Sequence, residues 1–129
     1  MKKKRILVLG SNGQIGKYLC DYLNNKNYLV YKIDIEIGKK HDLRIKDNKI
    51  LKKYIKNSDY IFFLAFDVGG SRYLKKFQEK YEFLNNNLKI IVNTFELLAK
   101  SKKKFLFASS QMSNMTYSNY GLLKLIGEK

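Results

Sequence analysis

The stretch ILVLGSNGQIG, which runs from Ile6 to Gly16, decides the predicted fold of this chain. Its apolar residues lead directly into a turn that contains Gly10, Gly13 and Gly16. The apolar run predicts a buried strand, and the glycines predict a tight turn that opens a helix. Free backbone N–H groups at the start of such a helix attract phosphate groups. The stretch therefore predicts a site for the pyrophosphate of a dinucleotide, with an ordinary structural turn as the alternative.

The three glycines, and the acid that follows the next apolar run, have distinct predicted roles. Gly10 permits the tight turn, Gly13 lets a pyrophosphate approach the backbone, and Gly16 lets the helix lie close to the strand. An acid about 20 residues past such glycines hydrogen-bonds the ribose hydroxyls of adenosine, and Asp34 has this position. Because its carboxylate would repel a 2′-phosphate, Asp34 favours NAD over NADP. Glu36 is a weaker candidate for this role, and a merely polar strand end is the alternative.

The composition indicates one globular domain. The 129 residues, 45% of them hydrophobic, are enough to bury a core. No apolar run approaches the roughly 18 residues of a membrane span, and no signal peptide is recognisable at the N-terminus. A single cysteine, Cys20, excludes an internal disulfide and is expected to be a core residue. These features predict a cytoplasmic protein without a membrane partner.

The formal net charge of +15 admits nucleic acid or phosphate-bearing ligands as partners. The excess is nearly all lysine, and it is spread along the chain rather than concentrated in one segment. Nucleic-acid binding is therefore the weaker alternative, and it would require a steep salt dependence of binding.

The rest of the chain alternates strand-like and helix-like segments, which is typical of a parallel sheet with right-handed crossovers. Strands are predicted at residues 5–9, 28–33, 41–44, 59–65 and 104–109. Helices are predicted at residues 14–27, 47–57, 71–79 and 81–99 and from residue 119 onward. The pattern predicts an α/β fold, a Rossmann-like doubly wound parallel sheet of about five strands in the order 3-2-1-4-5, with helices on both faces.

Two local details complete this prediction. The helical spacing of Ile15, Leu19, Tyr22 and Leu23 predicts the buried face of the first helix. Asp47 is the predicted N-cap of the second helix, because a carboxylate accepts hydrogen bonds from free N–H groups of the first turn.

Tyr120 and Lys124 are four residues apart on a predicted helix, so their side chains share one face. A lysine ammonium beside a phenol favours the phenolate, and such a tyrosine can act as a general acid or base. Ser110, at the end of the preceding strand, is placed to hydrogen-bond the same substrate oxygen. The spacing alone is common, and a packed tyrosine with a solvated lysine is the alternative.

Six segments carry a family resemblance: GSNGQIG, HDLR, FLAFDVGG, NNNLKIIVNTFELL, FLFASSQ and YGLLKLIGE. Together they resemble the N-terminal part of the NAD-dependent epimerase/dehydratase family, extended short-chain dehydrogenases/reductases that act on nucleotide sugars. The resemblance implies an oxidoreductase or isomerase in which hydride passes to or from NAD during epimerisation, dehydration or reduction of the sugar. It also implies a homodimer paired through the helices at residues 81–99 and 119–129.

The resemblance assigns the site residues one by one. Those with a catalytic role are Ser110, Tyr120, Lys124 and Asn87, the last as the structural asparagine of its helix. Those that bind the cofactor are Gly10, Asn12, Gly13, Gln14, Ile15, Gly16, Asp34, Asp42, Leu43, Leu64, Ala65, Phe66, Tyr120 and Lys124. Asp42 is expected to accept a hydrogen bond from the adenine amino group. No metal is implied, and His41 is given no role.

Three features depart from the family pattern. Phe63 stands where many members have a histidine, and the segment between Ser110 and Tyr120 is much shorter than in the family. The chain also ends where the family has well over half of its residues still to come. Residues 1–129 are therefore expected to be an incomplete, C-terminally truncated NAD(P)-binding domain without the substrate-binding domain. A truncated, non-catalytic dinucleotide-binding module is the alternative to an enzyme.

Overall fold

Four parallel strands form the sheet within residues 2–129, the part of the chain that the computed structural model describes. They are β1 (Arg5–Leu9), β2 (Leu29–Ile33), β3 (Tyr60–Phe63) and β4 (Phe105–Phe107). Their order is β2-β1-β3-β4, and all neighbouring pairs are parallel. This is the predicted order without its third strand, so the Rossmann-like doubly wound sheet is confirmed with one strand fewer than expected.

The helices alternate with the strands along the chain. They are α1 (Gln14–Asn25), α2 (Lys49–Asn57), α3 (Ser71–Phe77), α4 (Tyr81–Ser101) and α5 (Asn119–Glu128). Short 3-10 turns lie at Lys39–His41 and Gln111–Asn114. Among residues 2–129, none of the helices is long and apolar enough to cross a membrane.

The core has one layer on each face of the sheet, because successive strand residues point to opposite faces. Ile6 and Val8 of β1 cluster with Cys20 and Leu23 of α1 on one face. The other face is covered by α2 and α4, and its buried cluster includes Leu7, Leu9, Ile33, Leu51, Ile55, Ile61, Phe63, Leu97 and Leu98. Leu9 lies opposite both Ile33 and Phe63 in register, so the carboxyl ends of β1, β2 and β3 meet at one edge.

The prediction of a strand at residues 41–44 was wrong. A 3-10 turn at Lys39–His41 leads into this segment, and the carboxylate of Asp42 accepts a hydrogen bond from the backbone N–H of Arg44 at 2.9 Å. The side chain of Asn48 also donates to the Asp42 carbonyl oxygen at 3.0 Å. Side-chain hydrogen bonds of this kind give the backbone an alternative to pairing in a sheet.

The predicted N-cap of α2 was wrong by one residue. Asn48 caps the helix, since its side-chain oxygen accepts from the backbone N–H of Leu51 at 2.9 Å. Asp47 has a φ of 55°, in the left-handed region, whereas an N-cap residue is typically extended. Its carboxylate instead pairs with Lys52 at 2.8 Å.

The buried face of α1 agrees only in part with the prediction. Gly16, Cys20 and Leu23 are the buried residues of this helix, whereas Ile15 is 69% exposed and Tyr22 is also exposed. A Cβ at Gly16 would overlap the carbonyl oxygen of the preceding turn, so the absence of a side chain at Gly16 lets the helix lie directly against that turn. Of the four predicted residues, Leu23 is buried and Leu19 packs against the buried cluster, so the prediction was right for these two and wrong for Ile15 and Tyr22.

Candidate functional site

A cleft of about 430 Å³ opens at the edge where the carboxyl ends of β1, β2 and β3 meet. Its lining comes from these strand ends, from the first 3-10 turn with the segment after it, and from α4: Gly10, Asn12, Gly13, Ile33, Asp34, Ile35, Glu36, His41, Asp42, Leu43, Arg44, Leu64, Ala65, Phe66, Asp67, Val68 and Ile90. Ligands of doubly wound sheets bind at the carboxyl ends of the strands. The cleft therefore has the location expected for a ligand site.

The Gly-rich turn forms one wall of the cleft. Gly10 has a φ of 85°, and a Cβ there would lie 2.8 Å from the Cα of Ala65. The turn is thus in backbone contact with the end of β3, which only glycine permits. Gly13 is the N-cap of α1 and offers no side chain to the first turn. The N–H groups of that turn, at Gln14, Ile15 and Gly16, have no intrahelical acceptor, so they are available to an anion.

Asp34 is held in a fixed orientation at the end of β2. One carboxylate oxygen accepts from the backbone N–H of Asn12 at 2.9 Å, and the other accepts from the backbone N–H of Glu36 at 3.1 Å. The side chain of Asn12 in turn donates to Glu36 at 3.5 Å. Two carboxylates, those of Asp34 and Glu36, therefore line the end of the cleft beside the Gly-rich turn.

Asp42 lines the cleft, as the adenine-site prediction requires, but its carboxylate is already paired. The guanidinium of Arg44 donates to it at 2.8 Å, and this hydrogen bonding holds the pKa of the Asp42 carboxyl below its usual value. Leu43 is buried beside it. Arg44 was not predicted as a site residue, and its guanidinium also donates to the side-chain oxygen of Asn86 on α4 at 3.2 Å.

Asn87 fixes the loop that follows β3. Its side chain is fully buried, and its amide oxygen accepts from the backbone N–H of Asp67 at 2.7 Å. Its amide nitrogen donates to the carbonyl oxygens of Asp67 and Phe83, both at 3.0 Å. All of these partners are backbone groups, so in this arrangement Asn87 acts on the site by positioning the loop.

Asp67 is a site residue that the sequence analysis missed. Its carboxylate accepts from the phenol of Tyr73 and from the side chain of Asn86, both at 2.9 Å. Burial and the hydrogen bond to Asp67 together raise the pKa of Tyr73. The consecutive asparagines at 85–87 indicated a functional position on this helix, because asparagine is unfavourable inside a helix. Asp67 lies in the segment FLAFDVGG, directly after the predicted cofactor residue Phe66, whereas His41, which also lines the cleft, had no comparable signal.

The structure brings Tyr120 and Lys124 together on one face of α5, as predicted. The Lys124 ammonium lies 5.7 Å from the centre of the Tyr120 ring. It donates to the carbonyl oxygen of Ala108 at 2.8 Å, and the residue is 4% exposed. Burial lowers the pKa of Lys124 to about 8. The solvated lysine considered as an alternative is therefore excluded.

Ser110 and Tyr120 lie beside the cleft rather than in its lining. The Ser110 hydroxyl accepts from the backbone N–H of Met112 at 3.2 Å, at the start of the second 3-10 turn. Tyr120 makes an edge-to-face contact with the cleft residue Phe66, with 5.7 Å between ring centres. Phe66 thus stands between the cleft and the Tyr120–Lys124 pair.

The start of α5 is anchored by the segment that follows α3. The Gln78 side-chain oxygen accepts from the hydroxyl of Ser118 at 2.9 Å, and the side chain of Asn119 donates to the Gln78 carbonyl oxygen at 3.0 Å. The same Ser118 hydroxyl caps α5 by accepting from the backbone N–H of Gly121 at 3.3 Å. These contacts hold Tyr120 in place although the preceding loop is short.

Substitution of Lys124 by methionine should change how the free energy of unfolding depends on pH. The pKa of Lys124 is about 8 in the folded protein and 10.5 ordinarily. Between these values the unfolded chain binds more protons than the folded one, so this lysine's contribution to stability rises with pH. Relative to Lys124→Met, the free energy of unfolding should increase across this window by about 3 kcal/mol at most. Urea unfolding of both proteins across the window measures this, and parallel stability curves would contradict it.

In the part of the chain that the structure describes, no group of three or more His, Cys, Asp or Glu side chains is arranged to hold a metal ion.

Known proteins of similar structure cover nearly the whole chain. UDP-glucose 4-epimerase from Bifidobacterium longum, solved in complex with NAD+ and UDP, has a TM-score of 0.75 and 22% identity, covering 97% of this chain and 47% of that one. L-threonine dehydrogenase from Clostridium difficile has a TM-score of 0.76 and 25% identity, with coverages of 99% and 48%. A GDP-D-glycero-L-gluco-heptose synthase from Campylobacter jejuni, solved in the presence of NADPH, has a TM-score of 0.74 and 17% identity, with coverages of 98% and 42%.

These likenesses support the fold, and the chain spans less than half the length of each of these proteins. No curated protein sequence matches the chain. The family model described as the NAD dependent epimerase/dehydratase family matches residues 6–121. This match covers the Gly-rich turn, the cleft, Ser110 and Tyr120, and the chain therefore belongs to the NAD-dependent epimerase/dehydratase family.

Proposed function

We propose that residues 1–129 are the dinucleotide-binding part of an NAD-dependent oxidoreductase of the nucleotide-sugar epimerase/dehydratase type. The observation that carries this proposal is the pairing of the Gly10–Gly13 turn with a fixed Asp34 at one end of the cleft. The Asp34 carboxylate is oriented by the backbone N–H groups of Asn12 and Glu36. Such a carboxylate can accept hydrogen bonds from two ribose hydroxyls and would repel a 2′-phosphate. This favours NAD over NADP.

The residues present fit a dinucleotide along the cleft. A Cβ at Gly13 would occupy the surface beside the Gly10 carbonyl oxygen at 3.3 Å, so glycine leaves room there for a phosphate. Gln14, Ile15 and Gly16 would offer backbone N–H groups to the pyrophosphate. Asp42 and Leu43 would hold the adenine. The remaining contacts, toward the nicotinamide, would come from Leu64, Ala65, Phe66, Tyr120 and Lys124.

The chemistry of the proposed reaction divides between the cofactor and three side chains. The nicotinamide, when bound, accepts or donates a hydride. Tyr120 would take a proton from a sugar hydroxyl or return one to a keto oxygen, and Ser110 would hold that oxygen by a hydrogen bond. Lys124 would stabilise the phenolate through its positive charge. The proposed substrate is a nucleotide sugar, by analogy with the UDP-glucose 4-epimerase and the heptose synthase of similar fold.

Binding of NADH to the purified chain tests this proposal. We expect saturable enhancement of NADH fluorescence, with weaker binding of NADPH, and the absence of tryptophan keeps that signal clear. Gly13→Ala should weaken NADH binding by about tenfold, because its methyl group would stand in the phosphate cradle. Gly70→Ala is the matched control, since a Cβ at Gly70 meets open space. Absence of NADH binding by the folded chain would refute the proposal.

A non-catalytic dinucleotide-binding module is the second candidate. The observation in its favour is that Lys124 donates to the Ala108 carbonyl oxygen and does not line the cleft. Both candidates predict binding of NADH. Reduction of bound NAD by a nucleotide sugar such as UDP-glucose would favour the enzyme, and NADH binding without any such reduction would favour the module.

We also propose that two copies of the chain associate through α4 and α5. Leu88 and Val92 lie one turn apart on α4, Leu122 and Ile126 lie one turn apart on α5, and all four are exposed. Exposed apolar side chains on two contacting helices form a surface of the kind that dimers bury. Sedimentation equilibrium should give a dimer mass for the wild type and a monomer mass for Val92→Glu. A monomeric wild type would contradict this arrangement.

A further inference from the structure

We propose that Phe66 is a gate between the cofactor cleft and Lys124, and that Lys124 reaches the cleft only when the Phe66 ring moves aside. The proposal deepens the proposed function, because it concerns how Lys124 would join a dinucleotide bound in the cleft. The closed position of the gate involves only groups of this chain, so it can be tested without any cofactor.

The surroundings of Lys124 show the closed position. Its ammonium lies 3.9 Å from the centre of the Phe66 ring, 5.2 Å from that of Phe107 and 5.7 Å from that of Tyr120. A cation this close to an aromatic face is attracted by the ring quadrupole. The hydrogen bond to the carbonyl oxygen of Ala108, a residue that does not line the cleft, holds the ammonium at 2.8 Å. The lysine is therefore enclosed by aromatic rings and one backbone acceptor.

The surroundings of Phe66 show why this residue controls access. Phe66 lines the cleft, whereas Tyr120, Lys124 and Phe107 do not. It contacts both members of the Tyr120–Lys124 pair, by its edge-to-face packing with Tyr120 and its contact with the ammonium. Movement of this one ring would open a path between the ammonium and the cleft, while Phe107 on β4 is partly buried against the core cluster.

The backbone next to Phe66 restricts how the gate can open. The N–H and the carbonyl oxygen of Asp67 are both held by the buried side chain of Asn87. The Asp67 carboxylate is held by Tyr73 and Asn86. Because the main chain after Phe66 is tied in this way, we infer that opening is a rotation of the Phe66 side chain rather than a movement of the loop.

Acetylation of individual lysines by acetic anhydride, read by peptide mass spectrometry across neutral to alkaline pH, tests the gate. For each lysine the midpoint of the rate profile reports its pKa, and the plateau at high pH reports its access to reagent. The exposed Lys53 on α2 is the internal reference. In the wild type without cofactor, the Lys124 plateau should lie far below that of Lys53, since an enclosed amine reacts only through local opening.

Phe66→Ala should raise the plateau of the Lys124 acetylation rate by about tenfold or more, because the reagent can then reach the amine without a prior movement of the ring. Its midpoint should also move from about 8 toward 10.5, because burial is the cause of the lowered pKa of Lys124. Phe66→Leu, which keeps an apolar side chain over the ammonium, should stay close to the wild type. The rate at Lys53 should not change in either variant.

An unchanged Lys124 profile in folded Phe66→Ala would overturn the gate, as would a wild-type Lys124 that reacts as fast as Lys53. Circular dichroism checks folding, and Phe66→Val replaces Phe66→Ala if the alanine variant does not fold. The NADH measurement separates the two proposals. If the Lys124 acetylation profile contradicts the gate while NADH binds, the proposed function stands and the gate does not. If NADH does not bind, the acetylation profile still decides whether the gate exists.

Discussion

Replacement of Asn87 by leucine is expected to lower the free energy of unfolding by about 3 kcal/mol, because it leaves buried backbone groups without partners. Leucine has a similar size, so the change removes hydrogen bonds more than volume. The N–H and carbonyl oxygen of Asp67 lose the amide that now binds them at 2.7 and 3.0 Å. Urea unfolding followed by circular dichroism measures the loss.

Asn85→Leu is the matched control for this substitution. Asn85 lies two residues earlier on α4 and is half-buried, so its change in stability should stay within about 0.5 kcal/mol, as for most positions outside the core. Asn87→Leu should also weaken NADH binding, since the loop after β3 lines the cleft and loses its anchor. Equal losses in the two variants would show that Asn87 has no special positioning role.

Gly10→Ala is expected to lower the free energy of unfolding by about 4 kcal/mol, which combines backbone strain with overpacking. The strain arises because Gly10 has a φ of 85°, which residues with a Cβ rarely adopt. The overpacking arises because the new methyl group would lie 2.8 Å from both the Cα and the nitrogen of Ala65. Neither atom can move without displacing the end of β3.

Gly70→Ala provides the comparison. Gly70 has a φ of −69°, and a Cβ there meets open space. We expect no loss of stability and a gain of up to about 1 kcal/mol, because alanine reduces the entropy of the unfolded chain. Urea unfolding of the two variants, side by side with the wild type, checks both values. A tolerated Gly10→Ala would mean that the Gly-rich turn has another conformation.

Local sequence was sufficient to predict those features whose physical requirement involves only neighbouring residues. The turn at Gly10–Gly16 could be predicted because a left-handed residue and a close helix approach both require glycine. The strands β1, β3 and β4 follow from continuous apolar runs and β2 from a run interrupted by Lys32, and their order follows from the rules for parallel crossovers. The shared face of Tyr120 and Lys124 follows from helical geometry alone.

The sequence-based prediction was wrong where a hydrogen bond from a nearby side chain, or the close approach of a small residue, outweighed the sequence pattern. Residues 41–44 were predicted as a short strand, but the Asp42 carboxylate binds the Arg44 backbone and gives it an alternative to pairing in the sheet. On α1, the apolar Ile15 points outward because Gly16 makes the close contact with the turn. In both cases a specific contact was stronger than the sequence pattern.

The sequence by itself determined the family, the doubly wound sheet and part of the cleft lining, from Gly10 and Asp34 to Asp42 and Phe66. Only the tertiary structure decided how these residues are used. It pairs Asp42 with Arg44, ties Asp67 to Asn87 across 20 residues of chain, and places the Phe66 ring over the Lys124 ammonium. Such contacts join residues far apart in sequence, and they depend on how helices and loops pack on the sheet. Motif spacing contains no information about that packing, because it reports only which residues share a strand, a turn or a helix face.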